Sequence, residues 1–219
     1  MGNVSILIRS LIKIKTSFNL LFVYDDSKDP TISEIENLKN SSDINIQYIQ
    51  NLGKGIISAY KTGFNYFKKS KNPILILMCD LSDDTDSIDL MYQKWLLGNQ
   101  IVFADRYCNF QIRHHLFNLK ILLSYFGNKL INLKMKNTIH DYTNNFRLYD
   151  SSFIQKNIFQ TKKGFEFSLE ATFLAINQNL SIDKVNVQHN FVREHGKTKF
   201  NIFGNIISYI LWLLKILKI

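Results

Sequence analysis

The sequence has few of the residues that mark several classes of protein. It contains two cysteines and two prolines among 219 residues, and Cys79 and Cys108 cannot build the framework of a disulfide-rich secreted domain. Residues 1–11 lack the charged start, apolar stretch and cleavage site of a secretory signal, so we expect none. The sequence shows no internal repeat or low-complexity tract. These absences favour a folded protein in a reducing compartment.

No single segment carries a dense run of one charge. Lysine plus arginine number 27 and aspartate plus glutamate 18, for a formal net charge of +9. The basic residues are scattered and belong to no recognisable nucleic-acid module, so we expect no nucleic-acid partner. The positive balance still indicates an anionic partner, such as lipid head groups or a phosphorylated substrate.

Short apolar runs alternate with amphipathic segments along the first half of the chain. The apolar runs predict strands at 18–24, 44–49, 73–78 and 100–104. The segments between them predict helices at 32–40, 55–69 and 86–97. This alternation is typical of an α/β fold with a mainly parallel sheet, in which ligands bind at the carboxyl ends of the strands.

Polar side chains stand at those strand ends. Asp25 and Asp26 follow the first predicted strand, Asp80 the third and Arg106 the fourth. Carboxylates suit a hard cation or a ribose, and a guanidinium group suits phosphate. Aspartate after a strand is also an ordinary turn or N-cap residue. From the pattern alone, we favour that second role for Asp83, Asp84 and Asp86.

A glycine-containing loop, NLGKG at 51–55, precedes the helix predicted at 55–69. Glycine lets a backbone approach phosphate closely, and a helix N-terminus favours anions. The loop matches no complete nucleotide-binding motif, so by itself it equally indicates a simple turn.

Eight segments in chain order resemble motifs of the dolichyl-phosphate mannose synthase branch of the family-2 glycosyltransferases. They are YDDSKDPT at 24–31, NLGKG at 51–55 with Ala59 and Gly63, MCDLSDD at 78–84, ADRY at 104–107, Lys120 with Ser124 and Asn128, DYTNNFRLY at 141–149, GFEF at 164–167 with Glu170, and REHGKTK at 193–199. The similarity extends from about residue 20 to residue 200.

The resemblance implies a glycosyltransferase-A fold, a Rossmann-like mixed sheet flanked by helices with an apolar helix at the end of the chain. It implies transfer of a hexose from a nucleotide-sugar donor to a polyprenyl phosphate, dolichyl or undecaprenyl, with inversion. The acceptor phosphate is already anionic near neutral pH, so positioning and charge neutralisation matter more than a general base.

The resemblance also assigns roles to individual residues. It implies that the nucleotide sugar is bound by Asp25, Asp26, Gly53, Lys54, Asp80, Arg193 and Lys199. It implies that Mg²⁺ or Mn²⁺ is held by Asp80, with help from Asp83. It implies that the catalytic groups are Asp80, Arg106, Lys120 and Ser124, the last three at the acceptor phosphate.

The sequence departs from the family pattern at two places that bear on activity. Met78 stands where the metal motif has its first aspartate, and a thioether is a poor ligand for Mg²⁺. The family also opens with a strand that helps to hold the nucleotide, and we expect this sequence to begin just after it, inside the first helix. Either this start is truncated or misannotated, or the protein is a divergent member without that strand. Loss of a central strand would leave a gap or an exposed edge. The alternative function is therefore a catalytically impaired member that acts as a binding or partner subunit at a membrane.

We expect two parts, a glycosyltransferase-A domain at 1–199 and a terminal helix at 200–219. The terminal segment is apolar nearly all round. One interpretation is an interfacial helix on the cytoplasmic face of a membrane, with Trp212 near the head groups and Lys215 and Lys218 facing phosphates. The other is a helix that packs on the domain or on a membrane partner subunit.

Overall fold

The computed structural model describes residues 2–40, 44–108, 119–135, 138–162, 164, 166–188 and 202–218. Its strands are β1 (Asn19–Tyr24), β2 (Asn45–Gln50), β3 (Ile74–Ile76), β4 (Ile101–Asp105), β5 (Arg147–Tyr149) and β6 (Ile182–Asn186). Its helices are α1 (Asn3–Leu11), α2 (Thr31–Lys39), α3 (Ile56–Tyr66), α4 (Ile88–Leu96), α5 (Leu119–Met135), α6 (Ser151–Lys156), α7 (Phe167–Asn177) and α8 (Ile202–Lys218).

The strands form two separate sheets. β1 and β2 pair in parallel, with Asn19 opposite Asn45. The second sheet has the order β3-β5-β4-β6, in which β5 runs antiparallel to both neighbours and β6 runs parallel to β4. The sheet is therefore mixed, as the resemblance implied, because β5 enters between β3 and β4 in the opposite direction.

Helices cover both faces of the sheets. Buried apolar residues of α1, α2 and α4 form one core cluster with one face of the strands, and Met91 at its centre is fully buried. Residues of α3, α5, α6, α7 and α8 form a second cluster on the other face. The result is a three-layer α/β architecture, the fold class that the sequence predicted.

A gap separates β1 from β3. Within the described residues, β1 pairs only with β2, and β3 pairs only with β5. A cavity of about 570 Å³ lies between them, lined by both strands and by α1 and α3. This agrees with the gap that the family resemblance led us to expect.

The helix predicted at the end of the chain is α8, and one of its faces packs on the domain. Ile216 is fully buried in the core, and the Trp212 ring lies 5.7 Å from that of Phe173. Trp212 is thus partly buried against the domain, which agrees with the packing interpretation for this side chain, and its contact with head groups stays a prediction. No helix in the described ranges is long and apolar enough to cross a bilayer.

Candidate active site

Asp25, at the end of β1, is tied to the loop after β2 by a buried asparagine. Asn51 Nδ2 donates to Asp25 Oδ1 over 2.6 Å and to Gly55 O over 3.2 Å. Asn51 Oδ1 accepts from Gly53 N. One side chain therefore fixes together the two loops that the sequence assigned to the nucleotide.

Gly53 packs closely on Ser58 of α3. A Cβ atom at this position would lie 2.5 Å from Ser58 Oγ, closer than real Cβ contacts allow. The next residue, Lys54, is exposed. Asp26 is exposed too, and its Oδ1 accepts from Lys28 N within its own turn. The nucleotide roles of Lys54 and Asp26 stay predictions.

The loop after β3 is held in a strained backbone conformation. Leu81 has a φ of 61°, which is uncommon for a residue with a branched side chain. On one side of it, Asp80 Oδ1 accepts from Ser82 Oγ over 2.6 Å. On the other side, Asp83 Oδ2 accepts from Met78 N over 2.9 Å. Desolvation raises the pKa of Asp83 to about 7, against the lowering effect of that hydrogen bond.

The side chains of this loop determine whether the site can bind a divalent cation. Within the described ranges, no three His, Cys, Asp or Glu side chains are grouped to hold a metal. Met78 directs its sulfur towards the Tyr60 hydroxyl, 3.7 Å away. Mg²⁺ in phosphate-transfer sites often uses one or two carboxylates, with water and substrate phosphates as the other ligands. Asp80, helped by Asp83, fits a site of that kind.

Arg106, at the end of β4, forms a two-point ion pair with Asp141. Its Nε lies 2.5 Å from Asp141 Oδ2, and its Nη2 lies 3.1 Å from Oδ1. Burial alone would raise the pKa of Asp141, but the charge and hydrogen bonds of Arg106 outweigh it and lower that pKa. Burial alone would lower the pKa of Arg106, but the charge and hydrogen bonds of Asp141 outweigh it and raise that pKa.

Ser124 joins this pair through a network of hydroxyl and amide groups. Ser124 Oγ lies 2.6 Å from Thr143 Oγ1 and accepts from the Tyr107 hydroxyl over 2.9 Å. Arg106 Nη2 and Asn128 Nδ2 both donate to Thr143 Oγ1. The structure thus brings Arg106 and Ser124 together, as the acceptor-site prediction requires. Lys120 is part of α5, and its side chain lies outside the described residues.

The loop at 78–84 and the hydrogen-bond network around Arg106 are electrostatic neighbours. The positive charge of Arg106 acts to lower the pKa of Asp83, although desolvation of Asp83 dominates. The ends of β3 and β4 therefore contribute to one site. Two predicted phosphate ligands, Arg193 and Lys199, lie outside the described residues.

The arrangement of loops at the carboxyl ends of the strands can be compared with known families. A family model, glycosyl transferase family 2, matches residues 3–158. The chain belongs to this family. Family-2 membership supports a glycosyltransferase that uses a nucleotide-sugar donor. A search of curated protein sequences finds no match.

Solved structures share the fold of this family-2 glycosyltransferase. One is glucosyl-3-phosphoglycerate synthase from Mycobacterium tuberculosis, in complex with Mn²⁺, UDP-glucose and phosphoglyceric acid. It has a TM-score of 0.53 and 12% identity, covering 94% of this chain and 81% of that one. Another is 4-diphosphocytidyl-2C-methyl-D-erythritol synthase from Anaerococcus prevotii DSM 20548, with a TM-score of 0.53 and 11% identity, covering 97% and 86%. These similarities show the glycosyltransferase-A fold.

Several residues of this family-2 glycosyltransferase that organise the site had no role in the sequence-based prediction. Asn51 links two loops, Asp141 holds Arg106, and Asn128 accepts from Tyr142 N over 2.7 Å. Buried Asp105 accepts from Lys184 Nζ and from the backbone of His140. All of these residues except Lys184 and His140 lie in segments that resemble family motifs. That resemblance was the signal by which the sequence could have identified them.

Proposed function

We propose that this chain transfers a hexose from a nucleotide sugar to a polyprenyl phosphate at the cytoplasmic surface of a membrane, with inversion. The observation that carries the proposal is the two-sided character of α5. Its inward face supplies Ser124 and Asn128 to the polar network around Arg106. Its outward face is almost entirely apolar, as a helix beside a lipid acceptor requires.

The exposed side chains of α5 that the structure describes are apolar residues and lysines. The exposed apolar residues follow helical spacing, at Leu119, Leu123, Phe126, Leu130 and Leu133. The other exposed residues of α5 are Lys129 and Lys134. An amphipathic surface that combines apolar groups with cations and lacks carboxylates is complementary to anionic lipid.

The outward face of α8 has the same composition and extends this surface. α8 packs on α5, with the Tyr209 ring against Gly127. Its exposed residues are Ile207, Ile210, Leu211, Leu214, Lys215 and Lys218. Because both helices expose apolar and basic groups, we place the acceptor's isoprenoid chain and the membrane at this side of the domain.

The proposed reaction is a direct displacement. An acceptor phosphate oxygen attacks the anomeric carbon, and the bond from that carbon to the nucleoside diphosphate breaks with its electron pair on the leaving oxygen. Asp141 fixes the orientation of Arg106, whose charge offsets that of the incoming phosphate. Ser124 and Thr143 supply hydroxyl groups at the same place. Mg²⁺ or Mn²⁺ held by Asp80 would neutralise charge on the donor diphosphate.

The test is transfer of radiolabel from a panel of nucleotide sugars to undecaprenyl or dolichyl phosphate in vesicles. The proposal expects label in the lipid fraction, loss of most of it in Asp80→Ala, and retention in Asp86→Ala. Asp86 is an exposed aspartate close to the same loop, so it is a matched control. Equal transfer by wild type and Asp80→Ala would contradict the assignment of Asp80.

The alternative function, a catalytically impaired subunit, is favoured by one observation. Met78 occupies the position of a family carboxylate, and its sulfur accepts a hydrogen bond from the Tyr60 hydroxyl. This alternative predicts that no nucleotide sugar raises the melting temperature and that no sugar reaches any acceptor. Restoring the carboxylate with Met78→Asp would then be expected to increase transfer.

A further inference from the structure

The contact between α8 and the rest of the domain contains a polar atom that packing does not explain. Tyr209, Trp212 and Leu213 of α8 pack against the apolar core, and Ile216 is fully buried in it. The Tyr209 hydroxyl oxygen is shielded from solvent and has no hydrogen-bond partner within the described part of the chain. A buried polar group without a partner is destabilising, and a phenylalanine ring would pack similarly without that cost. The hydroxyl therefore needs another reason.

The hydroxyl meets α5 beside the hydrogen-bond network around Arg106. A Cβ atom on Gly127 would lie 2.6 Å from Tyr209 Oη, so a larger residue at 127 would push the oxygen aside. Gly127 lies three residues after Ser124, on the same side of the helix, and directly before Asn128. Both of those residues belong to the network. The glycine thus lets the α8 hydroxyl approach the helix that supplies the acceptor site.

The groups of this network act electrostatically on the hydroxyl. Burial, the largest effect, raises the pKa of Tyr209, and Tyr107 and Asp141 raise it further, whereas Arg106 acts to lower it. The phenol is therefore protonated at neutral pH and can donate a hydrogen bond. The Tyr107 hydroxyl, by contrast, already donates to Ser124 Oγ. An anionic phosphate oxygen, which only accepts, is complementary to a free phenol donor and to a guanidinium group.

We propose that Tyr209 donates a hydrogen bond to the acceptor phosphate, so that α8 supplies a binding group to the site formed by α5 and the end of β4. The inference rests on the proposed function, because its ligand is the phosphate of a polyprenyl acceptor. It gives α8 a role in the site besides the outward contact with lipid. A hydroxyl without a partner in the free chain gains one when the acceptor binds, so its unfavourable burial is offset on binding.

The test measures acceptor binding and stability in Tyr209→Phe. Calorimetric titration with farnesyl phosphate, a short polyprenyl phosphate, reports binding without the donor. We expect the variant to bind about tenfold more weakly or less, because a hydrogen bond to a charged group is lost. Its melting temperature should equal or exceed that of the wild type, because the hydroxyl has no partner to lose. Tyr66→Phe, at an exposed position in α3, is the matched control and should bind like the wild type.

Gly127→Ala assigns the effect to the contact between α5 and α8. The added Cβ displaces the Tyr209 hydroxyl, so this variant should weaken binding of farnesyl phosphate to a similar extent. In the Tyr209→Phe background the oxygen is absent, and the nearest ring carbons lie 3.3 Å and 3.4 Å from that Cβ. The double variant should therefore bind no more weakly than either single variant.

The possible results separate this inference from the proposed function. Wild-type affinity for farnesyl phosphate in Tyr209→Phe would overturn the inference alone. A lower melting temperature in that variant would also overturn it, because the hydroxyl would then have a structural partner. So would additive losses of affinity in the double variant. Absence of binding by the wild type would overturn both the inference and the polyprenyl phosphate acceptor.

Discussion

At the scale of single residues, the site depends on side chains that hold other side chains. Arg106 is 16% exposed and Asp141 is fully buried, and their two hydrogen bonds join the end of β4 to the loop before β5. A buried charge whose partner is removed is strongly destabilising, whereas removal of both charges is often nearly neutral. The pair therefore has a measurable structural role besides any role at the acceptor.

Asp141→Asn should lower the free energy of unfolding by about 3 kcal/mol, because it leaves the Arg106 charge buried and uncompensated. Urea denaturation at neutral pH measures the change. The double variant Arg106→Gln, Asp141→Asn is the control and should recover more than half of the loss. A single variant as stable as the wild type would contradict the buried pair.

The raised pKa of Asp83 predicts that the stability of the fold depends on pH. Its pKa is raised from 3.8 to about 7 in the folded state, mainly by desolvation. Between those values the folded state binds more protons than the unfolded state, so this group makes stability fall as pH rises. Asp83→Asn keeps an oxygen for Met78 N and should remove that part of the slope. Asp86→Asn should keep the wild-type slope, and a slope unchanged by Asp83→Asn would exclude the raised pKa.

At the scale of elements, apolar runs predicted the first four strands and three helices to within a few residues. β5 and β6 were not predicted, because their burial depends on tertiary partners. β5 contains Arg147, fully buried and stacked 4.1 Å from the Phe103 ring. β6 contains Asp183 and Lys184, which pair with Lys94 and Asp105. Charged residues inside short strands interrupt the apolar pattern by which a strand is identified from sequence.

The surface formed by the outward faces of α5 and α8 leads to a prediction at this scale. Leu123→Glu with Leu130→Glu should reduce binding to vesicles containing phosphatidylserine about tenfold or more, because apolar burial is lost and anionic charge is added. Cosedimentation measures the bound fraction. Leu97→Glu, at an exposed position just after α4, is the matched control and should bind like the wild type. An equal loss of vesicle binding in all variants would indicate that binding depends on charge alone.

At the scale of the whole molecule, the fold was predictable from the sequence, whereas the contacts that orient the polar side chains of the site were not. The order of apolar runs and family-like motifs indicated the glycosyltransferase-A architecture, which the family match and the structural neighbours confirm. The apolar runs and the motifs also predicted which aspartates follow the strands. The partners that orient them were missed, because Asn51 with Asp25 and Asp141 with Arg106 are separated by 26 and 35 residues.

The formal charge of +9 also has a meaning at this scale. Lysines of the outward faces of α5 and α8 account for part of it, at Lys129, Lys134, Lys215 and Lys218. Arg106 is neutralised by Asp141 and contributes nothing to a long-range attraction. Part of the positive charge therefore lies on the side that the proposed function places against lipid.

Calorimetric titration of the chain with a panel of nucleotide sugars, in the presence of Mg²⁺ or Mn²⁺, tests most directly whether the strand-end loops bind a donor. The account predicts saturable binding of one molecule per chain for at least one donor. It predicts binding weakened at least tenfold, about 1.4 kcal/mol, in Asp80→Ala and unchanged in Asp86→Ala. Absence of binding for every donor, or equal binding by both variants, would contradict it.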